Sequence, residues 1–230
     1  MWLIDSSVGR KVVMSVTGTA LILFLTFHGA MNCVALISGE AYNAVCEFLG
    51  ANWYALVGTV GLAALVLIHF LFAFILEIRN IKAVGGLKRY SRQSRPQNVE
   101  WASQNMLVLG IIVILGLVLH LTHFWANMQF QELIGSEAVI DGNVVSPTDG
   151  ATLIAYTFGK TPIAILYIVW LGAIWFHLSH GFWSAMQTLG WNNQIWINRW
   201  KTIGIICVTL IILMFVAVVV AFWAKANIPA

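Results

Sequence analysis

Charge is scarce in this sequence. Only 9% of its 230 residues are Asp, Glu, Lys or Arg, against about 25% in an ordinary soluble domain. With 60% of residues hydrophobic, folding in water would leave large adhesive apolar patches, which excludes a soluble globular domain. The net charge of +3 is small and says nothing by itself about nucleic acid; no such partner is expected. Cysteine is also scarce. Cys33, Cys46 and Cys207 show no metal spacing and no CxxC pair, which argues against an iron–sulfur cluster or zinc site within the chain. They are expected as buried or interfacial side chains. There is no GxGxxG, so no dinucleotide or flavin site is expected by that motif.

What the chain has in abundance is long apolar runs. A helix needs about 20 apolar residues to cross the hydrocarbon, and five segments qualify: 12–37, 54–78, 104–128, 162–187 and 203–224. The first is longer than the apolar region of a signal peptide and no clean small-residue cleavage site follows it, so it reads as an anchor. The expected fold class is all-α, five transmembrane helices in one bundle spanning residues 1–230 as a single domain. Basic residues set the orientation. Arg10 and Lys11 precede span 1; Arg79, Lys82, Lys88, Arg89, Arg92 and Arg95 fill the link between spans 2 and 3; Arg199 and Lys201 lie between spans 4 and 5. On the other side Lys160 and Lys225 stand among Glu40, Glu47, Glu132, Glu137, Asp141 and Asp149. By the positive-inside rule the N-terminus is cytoplasmic and the C-terminus outside. The basic 79–95 link reads either as topology and contact with anionic lipid or as a docking surface for a cytoplasmic partner.

All six histidines, His28, His69, His120, His123, His177 and His180, fall inside spans. Ionisable groups in lipid are expensive and usually functional. At 1.5 Å per residue, His28 lies about 26 Å beyond the Arg10–Lys11 pair, and His120 about 30 Å past Glu100, both toward the outside. His69 is about 15 Å before Arg79, and His177 about 22 Å in from Pro162, both in the inner half. Two depths, each reached from two helices, suit two haems stacked across the membrane with two neutral imidazoles on each iron. No CxxCH is present, so the haems would be held by axial ligands and packing.

A weak repeat assigns the pairs. In "TGTALILFLTFH" and "LGIIVILGLVLH" a glycine, Gly18 or Gly110, precedes a histidine, His28 or His120, by ten residues. Glycine lets a flat macrocycle or a neighbouring helix approach the backbone. The repeat pairs His28 with His120 and leaves His69 for His177. In "WFHLSHGFW" His177 and His180 differ by about 60° in direction, so both cannot serve one iron. The first half carries Met31 and Phe72 where the second carries His123 and His180. His123 and His180 are therefore read as supporting residues, His180 bonding a haem propionate, a backbone carbonyl or a neighbouring helix.

The stretches "SSVGRKVVMSVTG…FLTFH", "LHLTHFW" and "HLSHGFWSAMQTLGW" resemble the dihaem cytochrome b membrane anchor of succinate dehydrogenases and quinol:fumarate reductases with a single five-helix subunit. The resemblance covers most of the chain. It implies four histidine ligands on four successive helices, here His28, His69, His120 and His177. It also implies two haems b, a quinone such as menaquinone as substrate, and a bacterial cytoplasmic membrane. The partners it implies are a cytoplasmic flavoprotein and an iron–sulfur subunit, which would hold the FAD and clusters and perform the dicarboxylate chemistry; dimerisation of the complex stays open. Some members carry a glutamate two residues before the fourth ligand, where this chain has Trp175. The 129–161 connection shows no family signature.

The quinone site is expected beside the outer haem, with Glu47 as proton acceptor in "SGEAYNAVCEFLGANWY", preferred to Glu40 because Trp53 and Tyr54 are near. Partial burial would raise its pKa into a useful range. Two other readings compete: a dihaem cytochrome b of a hydrogenase, formate dehydrogenase or nitrate reductase, and a histidine-lined di-metal membrane protein or transporter. The first more often takes paired ligands from one helix, and the second wants carboxylates or denser histidine clusters. The direction of the reaction in the cell is not encoded.

Overall fold

The computed structural model describes residues 6–83 and 100–229. Lys88, Arg89, Arg92 and Arg95 of the basic link lie outside them. Five helices are long and apolar enough to cross a membrane, and the chain is a multi-pass all-α membrane protein. In chain order the elements are α1 (Ser7–Ile37), α2 (Gly39–Phe48), α3 (Trp53–Ala83), α4 (Trp101–Gln104), α5 (Met106–His123), a 3-10 turn (Trp125–Asn127) and α6 (Gln129–Leu133). There follow β1 (Ala138–Ile140), β2 (Asn143–Val145), α7 (Gly150–Phe158), α8 (Thr161–Thr188) and α9 (Trp196–Asn227). Four of the five spans are longer than their apolar runs, because polar flanking residues continue the helix. The exception is the third, which breaks at Phe124. There Asn127 Nδ2 donates to the carbonyls of Thr122 and His123, supplying donors that the helix end lacks.

Local chemistry sets the other boundaries. Ser6 accepts from Gly9 N–H at 2.8 Å and opens α1. Ser38 closes α1 and opens α2, its hydroxyl accepting from Ala41 N–H. Pro162 stands in the first turn of α8, where its missing N–H costs nothing. The 129–161 connection is ordered into a small cap. Its hairpin turns on Asp141 and Gly142, both with positive φ, the conformation that two-residue hairpin loops select. Asp149 caps α7 through Thr152 N–H and takes 2.7 Å donation from Asn43 on α2, while Asn43 Oδ1 accepts from Ala151 N–H. Burial pushes the Asp149 carboxyl up, but the donors from Thr152 and Asn43 outweigh it and hold it below its ordinary value. The cap thus ties α2 to α7 at one end of the bundle, the hairpin end.

The core is built by α8 and α9. Tyr167, Leu171, Ile174 and Leu178 repeat at helical spacing and bury against Val208, Ile212, Val218, Val219 and Phe222. Helix α1 packs on α3, α8 and α9, and α5 packs on α8. Indole donors stitch the spans: Trp175 Nε1 to Thr209 at 2.9 Å, Trp170 Nε1 to the Val113 carbonyl at 3.1 Å, Trp223 Nε1 to Thr161 at 3.0 Å. In lipid each such bond contributes about 0.6–2 kcal/mol. Helix α3 is different: its most apolar stretch has no buried residue. A spanning helix ordinarily buries one face on its neighbours.

Candidate functional site

Four histidines converge in two pairs. His28 of α1 faces His120 of α5 with ring centroids 5.9 Å apart and planes at 85°. His69 of α3 faces His177 of α8 at 6.5 Å and 73°. Neither pair sits on helices that pack along their length among the described residues; the imidazoles meet across the bundle interior. His28 and His120 lie toward the hairpin end, His69 and His177 toward the opposite end.

The repeat glycines belong to the second pair. A Cβ on Gly18 would stand 3.2 Å from His69 Cε1, and one on Gly110 would stand 4.0 Å from His177 Cε1. Helices α1 and α5 therefore each present a histidine at one level and a glycine at the other. Ten residues separate them, so the levels are about 15 Å apart.

Each ring has its own support. Thr17 Oγ1 lies 3.0 Å from His69 Nδ1 and 2.8 Å from the Val13 carbonyl. A hydroxyl has one proton, and the carbonyl can only accept, so the proton goes to Val13 and Thr17 accepts from Nδ1–H. That leaves the lone pair on His69 Nε2, the form a metal takes. His28 stacks on Phe24 at 5.4 Å and meets Phe215 at 5.6 Å. Asn32, one turn on, donates to the His28 carbonyl at 2.8 Å and accepts from Tyr42 O–H at 3.0 Å. His120 is walled by Phe124, Trp170 and Tyr167. Trp170 fits there because Gly116 has no side chain; a Cβ at Gly116 would overlap the indole.

The remaining histidines leave the pairs. His123 Nδ1 lies 3.1 Å from Tyr167 Oη. His180 Nδ1 lies 3.5 Å from Glu100 Oε2, too long for a well-formed hydrogen bond. Glu100 also accepts from Lys201 at 2.8 Å and from Trp183 at 3.2 Å. Among the partners expected for His180, the neighbouring helix has a counterpart in Glu100, which precedes α4. Trp175 donates its N–H to Thr209, and an indole, a donor only, offers no titratable group in place of the glutamate.

Glu47 departs from expectation. It is exposed, not partly buried as expected. Helix α2 turns Tyr42 and Cys46 inward, and Glu47 lies about 100° further round than Cys46. Trp53 is 76% exposed, so the expected aromatic wall is open. Cys33 and Cys46 are half-buried and Cys207 is exposed. Burial pushes the Cys46 thiol up to about 11, which keeps it protonated and unreactive.

The donor set can be tested against a haem. Among the described residues no three His, Cys, Asp or Glu side chains come together; the imidazoles occur in twos. A first-row metal binds imidazole at about 2 Å, so two rings on opposite sides of one ion stand about 6 Å apart, centroid to centroid. Two protein nitrogens leave a bare ion short of ligands, whereas a macrocycle supplying four equatorial nitrogens completes the set. Buried polar atoms without a hydrogen-bond partner among the described residues include His177 Nδ1, Thr19 Oγ1 and Ser179 Oγ. Thr19 adjoins Gly18, and Ser179 is two residues from His177. Such orphans cost about 1–3 kcal/mol each, and they gather in sequence around the second pair. The residues present fit the group.

Thr17, Asn32, Tyr167 and Trp170 were not singled out by sequence. Thr17 adjoins a repeat glycine and Asn32 follows His28 by one turn, so those two had a local signal; Tyr167 and Trp170 had none. Comparison with known proteins finds no matching family model, no matching curated protein and no matching solved structure.

Proposed function

We propose that this chain is the cytochrome b membrane anchor of a succinate:quinone oxidoreductase, working as a quinol:fumarate reductase or succinate dehydrogenase. In this reading it lies in a bacterial cytoplasmic membrane with the hairpin end outside. It exchanges electrons with a quinone and passes them to cytoplasmic iron–sulfur and flavoprotein subunits. The observation that carries the reading is the two imidazole pairs at 5.9 and 6.5 Å on two levels. The motif resemblance points the same way.

His28 and His120 would hold the outer haem b, His69 and His177 the inner one. When bound, a haem supplies reversible one-electron chemistry. The chain's own residues do the rest. Thr17 keeps the proton of His69 on Nδ1; Phe24, Phe215 and Trp170 exclude water from the outer pair; Gly18 and Gly110 leave space beside the inner pair.

A reduced-minus-oxidised spectrum of the detergent-purified complex, with a pyridine haemochrome assay against protein mass, tests the reading. Two haems b per chain are expected, with the two partner subunits in the intact mass. A ratio of one removes the pairing scheme, and no haem band removes the reading.

A further inference from the structure

Just after α5 the chain carries a short segment whose polarity is reversed. On α6 Gln129 is buried, its Oε1 accepting from Thr59 and Trp125 and its Nε2 donating to the Gly50 carbonyl. Glu132, one turn on, lies against the same glycine, where a Cβ would overlap its carboxylate. Phe130, Leu133 and Ile134 are 40%, 47% and 56% exposed. They recur at i, i+3 and i+4 and so share one face. A segment in water buries its apolar side and wets its polar one; this one does the opposite. From the reversal and from its depth we propose that residues 125–134 lie along the bilayer boundary at the hairpin end, with Phe130, Leu133 and Ile134 in lipid. The inference needs only that the spans cross a membrane and is independent of the electron-transfer reading.

Helix α3 is the ruler for depth. Thr59, which donates to Gln129 at 2.9 Å, stands 20 residues before Arg79 on that helix. At 1.5 Å per residue this is about 30 Å, the thickness of the hydrocarbon. With Arg79 at one boundary, where basic side chains anchor a span, Thr59 marks the other. Gln129 is therefore held at the boundary, not above it. Helix α5 agrees: its 18 residues cover about 27 Å, so the chain turns along the bilayer as soon as it has crossed.

The contact is apolar rather than ionic. Trp125 sends its N–H inward to Gln129 at 3.0 Å, and its ring meets Phe130 at 5.6 Å. An indole with its polar end satisfied and its body exposed suits a membrane interface. No Lys or Arg occurs between Met106 and Gly159, and the charges nearest in sequence are Glu132 and Glu137. Attraction to anionic headgroups therefore contributes nothing. Leu115, Val118 and Leu121, exposed on the spanning α5, lead along the chain into this segment. The hairpin beyond it is tied to the start of α8, where Lys160 Nζ donates to Asp141 at 2.6 Å, and its charged turn stays in water.

Spin labels test the placement in the full-length chain, with its co-purifying subunits, in phosphatidylcholine nanodiscs. They are attached singly through Phe130→Cys, Leu133→Cys, Ile134→Cys, Glu137→Cys and Asn143→Cys, with Cys33→Ala, Cys46→Ala and Cys207→Ala as background. Oxygen concentrates in lipid and a nickel chelate stays in water. The oxygen-to-nickel collision ratio at the first three sites should exceed that at Glu137 and Asn143 at least threefold. The unmodified chain gives a second readout that needs no variant to fold. A phosphatidylcholine with a diazirine at the start of its acyl chain should cross-link to 125–134 several-fold more than to 135–143. Nickel-favoured collisions at Phe130, Leu133 and Ile134 overturn the proposal. So does exclusion of both reagents there, which would assign the face to a second copy or another chain. Oxygen-favoured collisions at all five sites would put the boundary beyond the hairpin, and cross-links that require added phosphatidylglycerol would make the contact ionic; either result also overturns it.

Discussion

Thr17 Oγ1 on α1 lies 3.0 Å from His69 Nδ1 on α3; with its own proton directed to the Val13 carbonyl the hydroxyl is left to accept from that nitrogen, and this contact sets which nitrogen of His69 is available. Groups that orient a ligand histidine typically change metal affinity by about 10–100-fold when removed. Thr17→Val keeps the shape and removes the acceptor. Haem titration of that variant should show the inner site weakened within this range, and Thr17→Ser should restore it. Equal affinity in Thr17→Val would deny the hydroxyl any orienting role.

The histidines of α8 should separate cleanly. His177→Ala is expected to lose one of two haems, because its ring faces His69. His180→Ala is expected to keep both, because its ring faces Glu100. Haemochrome counts on the two variants decide this, and the reverse outcome would exchange their roles.

Gly18 offers a steric test with internal controls. A Cβ there meets His69 at 3.2 Å, whereas Gly58 and Gly61 on α3 have nothing within 4 Å. Overpacking of a filled site costs about 1–3 kcal/mol. Gly18→Val should lower the thermal midpoint of the purified complex and shift the inner haem's absorbance; Gly58→Val and Gly61→Val should do neither. Similar losses in all three would point to helix propensity instead.

Glu100 gives a pH dependence with a definite sign. Burial pushes its carboxyl up, but Lys201, His180 and Trp183 outweigh this and hold it below the ordinary value. A depressed folded pKa contributes stability that is full above the unfolded value of about 4.3 and is lost as pH falls through the folded one. The protection factor at amides 100–104, exchange corrected for the intrinsic rate at each pH, should therefore fall on acidification below that value. Glu100→Gln should exchange fast at neutral pH and show little further acid response. A wild-type acid profile in Glu100→Gln would place the titrating group elsewhere.

Gln129 is a buried hub: its Oε1 accepts from Thr59 and Trp125, and its Nε2 donates to the Gly50 carbonyl. Gln129→Leu strands several partners, with a cost of about 1–3 kcal/mol for each buried group left unpaired. A lower thermal midpoint with haem content unchanged is the expected result; unchanged stability would mean water replaces the amide.

Spans, helical class and the histidine inventory were legible in the sequence because they depend on distance along the chain. Apolar length encodes a crossing, and the ten-residue Gly–His interval on α1 and α5 encodes two levels. The pairing of His28 with His120 could be read from that interval, but the place of Gly18 beside His69 could not. It depends on how two helices rotate about their axes, and rotation is set by packing rather than by spacing. Tertiary structure also decided that His123 meets Tyr167, that His180 meets Glu100, and that Glu47 faces outward. Each rests on a long-range neighbour or on the inward turn of Tyr42 and Cys46. The 129–161 connection was least legible. Its hairpin and short helices have little apolar periodicity of their own, and they are held by Asn43, Asp149, Asp141 and Lys160, partners that only the folded chain brings within reach.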